Sequence, residues 1–265
     1  MALVFPNIDP VAFELGPIVI RWYALAYLTG FVGGWMMAGK LVEKYHDKTL
    51  TRDHVDDLLT WIILGVILGG RLGYVIFYNP SYYLSNPADI LKVWQGGMAF
   101  HGGMLGAIVS TFLFARKYKI QFLKLTDILA VTAPIGLFFG RLANFINGEL
   151  YGRITDSPFG MVFPGGGELP RHPSQLYEAT LEGFVLFVFM LILIKKGVLK
   201  DKPGVTSAIF LMGYGIFRFL IEYVREPDAQ IGLFLNFVSM GQILCLPMII
   251  GGVLILKYRE TLQRI

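Results

Sequence analysis

The sequence predicts an all-α integral membrane protein in which seven transmembrane helices form one polytopic domain over residues 1–265. Hydrophobic residues make up 55% of the chain and charged residues only 16%, whereas a soluble domain is about 25% charged. The mean hydropathy is +0.59. The apolar residues are concentrated in long separate stretches, and basic residues gather after every second stretch. These observations favour a membrane protein.

A helix needs about 20 mainly apolar residues to cross a bilayer. The stretches that meet this requirement are numbered as spans one to seven. They cover roughly residues 18–39, 56–78, 98–115, 125–146, 176–195, 205–224 and 235–256, and each end is defined to within several residues. Spans two and four are the least uniform, because they contain Arg71 and Arg141.

The distribution of basic residues predicts the orientation. The basic clusters that follow the odd-numbered spans comprise Lys40, Lys44, Lys48, Arg52, Arg116, Lys117, Lys119, Lys124, Lys195, Lys196, Lys200, Lys202, Lys257, Arg259 and Arg264. Because basic loops stay in the cytoplasm, we expect the N-terminus outside and the C-terminus inside. The loop at about 148–175 is rich in Gly and Pro, which predicts a small irregular extracytoplasmic cap.

With this orientation, the polar residues within the spans fall in one layer in the outer half of the membrane. They are Arg21, Tyr23, Arg71, His101, Arg141, Asn144, Arg218 and Glu222. A charge at the centre of a transmembrane helix costs about 2.5–3.5 kcal/mol on insertion scales. Four converging arginines therefore indicate an anionic ligand reached from the outer leaflet, although snorkelling to the interface explains any single one of them equally well.

Span six carries a polar stripe, because Tyr214, Arg218, Glu222 and Arg225 fall within about 80° of one another on a helix. The spacing of Arg218 and Glu222 also suits an ion pair in a purely structural helix contact.

His101 opens HGGMLGA, whose glycines allow a backbone or a ligand to approach closely. We interpret His101 as a candidate for proton transfer, with a structural hydrogen bond as the alternative. The single cysteine, Cys245, is interpreted as a packing residue. The spacing of the potential ligands suggests no metal site.

The stretch GRLANFINGELYG, Gly140 to Gly152, resembles the signature of the bacterial prolipoprotein diacylglyceryl transferases at every fixed position. Other stretches similar to the family follow in the family's order, namely RWYALAY, GGRLGYVIFY, HGGMLG, HPSQLYE and YGIFRFLIEYVREPD. HGGMLG stands where the family usually has HGGLIG, a change among apolar residues.

The resemblance implies transfer of the diacylglyceryl group from phosphatidylglycerol to the lipobox cysteine thiol of a prolipoprotein. A thioether forms and glycerol phosphate is released, as the first step of lipoprotein maturation. The implied enzyme spans the bacterial cytoplasmic (inner) membrane, with its site towards the outer leaflet and without a metal or organic cofactor. The expected partners are phosphatidylglycerol, the lipobox peptide and the bilayer, with no nucleic acid.

The resemblance also implies site residues. The candidate catalytic residues are Tyr23, His101, Arg141, Asn144, Glu149 and Arg218. The candidate phosphatidylglycerol-binding residues are Arg141, Asn144, Gly152, Tyr214, Arg218 and Glu222.

The chemistry favours Arg141 and Arg218 as clamps on the leaving phosphate, with Asn144 orienting the headgroup. The substrate thiol must lose its proton, either to His101 or because the arginine field lowers the thiol pKa from about 8.5. Glu149 and Glu222 are expected to position arginines. The other arginines are expected to support this site or to contact headgroups, and they are Arg21, Arg71, Arg153 and Arg225.

Three other functions fit part of the pattern. A transporter of organic anions would also need arginines, but it would normally show an internal repeat and a midplane site. An intramembrane hydrolase would need its own nucleophile, and no Gly-x-Ser-x-Gly elbow is present. A structural scaffold would not account for four arginines within spans.

Overall fold

The computed structural model describes residues 3–45, 49–226, 233–234 and 238–262, and these are mostly helical. The α-helices are α1 Trp22–Tyr45, α2 Arg52–Phe77, α3 Pro80–Ser85, α4 Phe100–Tyr118, α5 Phe122–Ile146, α6 Ser174–Glu178, α7 Leu186–Lys195, α8 Val198–Asp201, α9 Val205–Ile221 and α10 Met240–Leu262. A π-helical segment, Ala179–Val185, joins α6 to α7, and 3₁₀ turns cover Pro87–Leu91 and Val93–Gln95. The short strands are β1 Leu3–Val4, β2 Val11–Leu15, β3 Ile18–Arg21, β4 Met161–Val162, β5 Leu233–Phe234 and β6 Val238–Ser239.

Five helices among the described residues are long and apolar enough to cross a membrane. They are α1, α2, α5, the continuous helix Ser174–Lys195 and α10. The shorter α9 is also apolar, and α4 coincides with span three. Seven spans therefore stay a prediction, and residues 235–237 of span seven, like Lys48 and Arg264, lie outside the described residues.

The predicted start of span one is wrong. Residues Ile18–Arg21 pair in antiparallel register with β2, and the helix begins only at Trp22. The hairpin forms because Gly16 supplies a turn with φ of +60° and the following Ile-Val-Ile run favours an extended backbone. Arg21 is thus an exposed strand residue, not a residue within a transmembrane helix.

The described residues cluster into two compact units, one of residues up to Ala38 with Asp127–Leu262 and one of Gly39–Thr126. The single-domain interpretation of the sequence stays a prediction. In the second unit α2 packs on α4 through glycines at four-residue spacing, Gly65, Gly69 and Gly73 facing Gly102 and Gly106. A Cβ on Gly73 would lie 2.9 Å from the Cα of Gly102, so only glycine permits this approach.

Arg71 lies in the second unit and is only 4% exposed. Its guanidinium donates hydrogen bonds to backbone carbonyls of a loop that follows α3. The acceptors are Asp89 at 2.6 Å, Ile90 at 2.8 Å, Lys92 at 3.3 Å, Gly96 at 2.6 Å and Gly97 at 3.2 Å. The guanidinium also lies 5.1 Å from the centre of the Tyr83 ring. Arg71 therefore holds this loop, and its expected support of the site or contact with a headgroup stays a prediction.

Asp127 holds the N-terminus of α9 in the first unit. Its carboxylate is 0% exposed and accepts hydrogen bonds from the backbone N–H groups of Gly204 at 2.6 Å and Ser207 at 2.7 Å, and from the Ser207 hydroxyl at 2.7 Å. A helix N-terminus leaves N–H groups without intrahelical partners, and a carboxylate satisfies them well. The helix that carries Tyr214 and Arg218 is thus anchored at its start by a residue of α5.

We expect Arg71→Lys to loosen the loop after α3. A lysine carries a point charge on a flexible stem and cannot reproduce a guanidinium fork bonded to several carbonyls. The free energy of unfolding should fall by about 2–3 kcal/mol, measured by thermal unfolding in detergent, and protease cleavage near residues 89–97 should rise. Arg21→Lys is the control, and an equal effect of both substitutions would contradict the assignment.

We expect Asp127→Asn to destabilise the protein while keeping the side-chain size. The amide NH₂ of Asn would face a backbone N–H, leaving a buried donor without an acceptor at a cost of about 1–3 kcal/mol. The unfolding midpoint in detergent should therefore fall, whereas Asp201→Asn, on an exposed residue, should leave it in place. An unchanged midpoint for Asp127→Asn would show that this cap does not support α9.

Candidate active site

Three arginine side chains meet around the carboxylate of Glu178, the last residue of α6. Glu178 Oε2 lies 2.6 Å from Arg141 Nε. Its Oε1 accepts hydrogen bonds from Arg218 Nη1 at 3.1 Å and from Arg225 Nη1 at 2.9 Å. Glu178 is 1% exposed, so one buried carboxylate is shared by guanidiniums from α5, from α9 and from the residues after α9. Arg141, Glu178, Arg218 and Arg225 are called the arginine cluster below.

The backbone that follows Glu178 allows the continuous helix Ser174–Lys195 to come close to α5. Ala179–Val185 is π-helical, a conformation that is rare and often found at functional sites. Gly183 lies in this segment, and a Cβ there would lie 2.7 Å from the Cα of Phe138. Glycine thus permits close helix contact about one turn from Arg141.

Two further buried carboxyl groups lie beside the arginine cluster. Glu222 Oε2 is 3.1 Å from Arg218 Nη2, which is the ion pair that the sequence spacing suggested. Glu182 is 0% exposed, and its Oε1 lies 3.9 Å from Arg218 Nη1. Within the described part of the chain, neither oxygen of Glu182 has a hydrogen-bond partner. Three guanidiniums are therefore accompanied by three carboxyl groups in an apolar region.

Two tyrosines from the sequence prediction lie at this site. Tyr214, one turn before Arg218 on α9, is close enough to Glu182, Arg218 and Arg141 to interact with their charges. Tyr23, near the start of α1, interacts in the same way with Glu149 and Arg141. Its hydroxyl donates a hydrogen bond to the Tyr27 hydroxyl at 3.0 Å.

Glu149 binds amides, whereas the sequence analysis expected it to position an arginine. Its Oε1 accepts hydrogen bonds from Asn144 Nδ2 at 2.9 Å and from Asn147 Nδ2 at 3.3 Å. Its backbone carbonyl accepts one from Gln175 Nε2 at 2.6 Å. Asn144 is buried and Glu149 is exposed. The hydrogen bond between them fixes the orientation of the Asn144 amide at the end of α5.

Gly152 sits where the 148–175 segment meets the chain after α9. It forms a bridge with Arg225, and its N–H donates to the carbonyl of His172 at 2.8 Å. A Cβ on Gly152 would lie 2.8 Å from the Cβ of His172, so a side chain has no room there. Gly152 therefore keeps the backbone that carries Arg225 in place, which is a structural reason for glycine at this position.

The arginines of the 148–175 segment also bind protein groups. Arg153 Nε donates to the Arg225 carbonyl at 2.9 Å. Arg171 Nε donates to the Gly166 carbonyl at 2.8 Å, and its Nη1 is 2.8 Å from Glu226 Oε2. Burial lowers the pKa of the neighbouring His172, so that imidazole is neutral near pH 7. These contacts attach the segment to the end of α9.

His101 belongs to the second compact unit, where it lies exposed in the first turn of α4. The other predicted site residues all belong to the first unit, and they are Tyr23, Arg141, Asn144, Glu149, Gly152, Tyr214, Arg218 and Glu222.

The sequence analysis missed Glu178 and Glu182, and it gave Arg225 only a supporting role. The signal was present, because Glu178 and Glu182 are spaced four residues apart within span five. Ionisable residues in a membrane span are functional candidates irrespective of their sign.

Comparison with known proteins identifies one family. A model of the family described as prolipoprotein diacylglyceryl transferase matches residues 10–258. A phosphatidylglycerol–prolipoprotein diacylglyceryl transferase of Rickettsia africae is 55% identical over 254 residues, covering 96% of this chain and 98% of the relative. The protein of that name from Rhodospirillum rubrum is 55% identical over 255 residues, covering 96% and 93%.

We expect Gly152→Ala to displace the 148–175 segment from the end of α9, because the added methyl group would overlap His172. Protease cleavage within 148–175 should accelerate, and the unfolding midpoint in detergent should fall. Gly140→Ala is the matched control, since a Cβ on Gly140 meets nothing within 4 Å and alanine favours a helix. The steric explanation fails if both variants resist protease as the unsubstituted protein does.

Proposed function

Because this chain belongs to the prolipoprotein diacylglyceryl transferase family and transfers the diacylglyceryl group of phosphatidylglycerol to prolipoproteins, we propose that the arginine cluster binds the phosphate of that lipid. The observation that carries the proposal is the convergence of Arg141, Arg218 and Arg225 on one buried carboxylate. Guanidiniums bind phosphate oxygens through paired hydrogen bonds, and a dry site strengthens that attraction.

The reaction makes clear what such a site must do. The sulfur of the lipobox cysteine attacks the glycerol carbon that is bonded to the phosphate oxygen. A carbon–sulfur bond forms, the carbon–oxygen bond breaks, and glycerol phosphate leaves with an additional negative charge. Arg141 and Arg218 stabilise this charge where it develops, which lowers the barrier because the donors are already in place.

The groups around the cluster have supporting parts in this proposal. Asn144 orients the glycerol headgroup, and its amide is held by Glu149 at 2.9 Å. Glu222 holds Arg218 through its ion pair at 3.1 Å. Tyr23 and Tyr214 border the cluster, and Gly152 supports the backbone of Arg225.

Two routes remain for the thiol proton. In one, His101 accepts it as a general base. In the other, the positive field of the arginines lowers the pKa of the thiol until water or a phosphate oxygen takes the proton. The departing glycerol phosphate is dianionic when formed, so the released proton has an acceptor among the products in either route.

The protein is a multi-pass membrane protein, and we propose the finer arrangement from its charges. Seven spans result if α4 and α9 cross the membrane with the five longer helices. Basic residues lie in the last turns of α1, α4, α7 and α10, which favours the cytoplasm at those ends. Arg141 and Arg218 lie towards the opposite face, which is the outer leaflet of the cytoplasmic membrane in this arrangement, with the 148–175 segment as an extracytoplasmic cap.

We expect the purified protein, given phosphatidylglycerol and a lipobox peptide, to add one diacylglyceryl mass to the peptide. The Cys→Ser peptide should gain no mass, because the hydroxyl is a much weaker nucleophile than a thiolate. Arg141→Lys keeps the charge but loses the fork, and its rate should fall by about 100-fold or more. Mass spectrometry of the peptide measures each result.

Arg21→Lys is the matched control, since Arg21 is an arginine outside the cluster, and it should keep most of the rate. If Arg141→Lys is folded and as fast as the unsubstituted protein, the phosphate clamp is wrong. Release of free diacylglycerol without peptide modification would indicate a hydrolase, and movement of lipid without covalent change would indicate a transporter.

A further inference from the structure

Glu178 occupies a position that the proposed function leaves unexplained. Its two carboxylate oxygens contact three arginines at 2.6, 3.1 and 2.9 Å. A carboxylate buried at this depth repels a phosphate, so its presence at an anion site requires a reason.

The exposure of the four side chains shows their order from inside to outside. The Glu178 side chain is 1% exposed, whereas those of Arg141, Arg218 and Arg225 are 19%, 15% and 13% exposed. The carboxylate therefore lies behind the guanidiniums on the buried side. A ligand that reaches the site meets the guanidiniums first.

Each arginine uses only part of its hydrogen-bonding capacity on Glu178. A guanidinium has five N–H donors in a planar fork. Arg141 binds Glu178 through Nε, and Arg225 binds it through Nη1. These contacts turn one N–H group of Arg141 and one nitrogen of Arg225 to Glu178, and the other N–H groups of a planar fork can bind an external anion.

The like charges of the cluster also need a common partner. Three guanidiniums that contact one carboxylate lie close enough to repel each other strongly in an apolar region. A buried carboxylate on a helix cannot move far, and it therefore fixes both the separation of the guanidiniums and their orientation.

We infer that Glu178 is a positioning residue for diacylglyceryl transfer, which holds Arg141, Arg218 and Arg225 from behind so that their remaining N–H groups face the lipid phosphate. Glu178 acts through the arginines and does not touch the substrate. The inference rests on the proposed function, because it concerns the geometry of the phosphate clamp.

Glu182 provides a matched control for the replacement of a buried glutamate by glutamine. It lies one turn further along the same helix, is equally buried, and carries the same functional group. Its Oε1 lies 3.9 Å from Arg218 Nη1, which is its closest approach to the arginine cluster, and it accepts no hydrogen bond there. Glu178→Gln and Glu182→Gln make the same substitution in the same helix, but only the first removes contacts that orient all three arginines.

The test measures kcat and KM for phosphatidylglycerol on monodisperse, folded protein. Glu178→Gln should lower kcat by about 100-fold, as expected for misplaced catalytic groups, and should leave KM equal or lower, because the site has gained positive charge. Glu182→Gln should lower kcat by less than about fivefold on the same reasoning. If Glu178 were purely structural, Glu178→Gln would reduce the amount of folded protein but leave the kcat of the folded protein unchanged.

Two outcomes for the glutamine variants overturn the inference. They are a kcat for folded Glu178→Gln within about fivefold of the unsubstituted value, whatever the KM, or an equal loss of kcat in Glu182→Gln. If Glu178→Gln does not fold, Glu178→Asp replaces it. Its carboxylate is one methylene shorter and cannot reach all three arginines, so kcat should fall by about tenfold. Unchanged kcat in Glu178→Asp overturns the inference as well.

Arg141→Lys and Arg218→Lys, measured in parallel, separate the two proposals. If both keep the unsubstituted kcat, the phosphate clamp itself is wrong. If both lose activity while Glu178→Gln keeps it, the clamp stands and only the positioning by Glu178 is wrong.

Discussion

Charge pairing in a medium without water is the constraint on which the rest of this protein depends. An arginine inside an apolar helix must find carboxylates, carbonyls or a ligand, because burying it alone costs several kcal/mol. The Glu178 carboxylate meets this need for three arginines at once. The positions of α5, α6 and α9 are thereby tied to each other at the level where the site lies.

The arginines of this chain have two kinds of partner, namely backbone carbonyls and carboxylates. Arg71 and Arg153 donate to backbone carbonyls and hold irregular segments of the chain. Arg171 donates to a carbonyl as well and also pairs with the exposed Glu226. Arg141, Arg218 and Arg225 instead point at a carboxylate. A carbonyl leaves the positive charge of the guanidinium in place, whereas a carboxylate orients it and partly balances it. The proposed phosphate site is therefore assigned to the second group.

Close backbone approach is the second requirement, since helices in lipid gain little from burying apolar surface against each other. The glycines of α2 and α4 allow backbone contact within the second unit, and Gly183 does so beside the arginine cluster. Asp127 completes the arrangement of the first unit from the far end of α9, by capping the helix on which Tyr214 and Arg218 are carried.

The sequence by itself determined the membrane class, the mainly helical fold and the family, and it predicted most of the residues of the proposed site. Hydropathy, charge asymmetry and a motif such as GRLANFINGELYG can do this because they are local in the chain. It did not determine that Ile18–Arg21 is a strand, since a short apolar run is compatible with both helix and strand until its partner is known. Only the tertiary structure decided which arginines bind carbonyls and which meet Glu178. That choice depends on contacts between residues far apart in the chain. Arg141 and Glu178 are separated by 37 positions, and Glu178 and Arg218 by 40. No local pattern encodes such contacts.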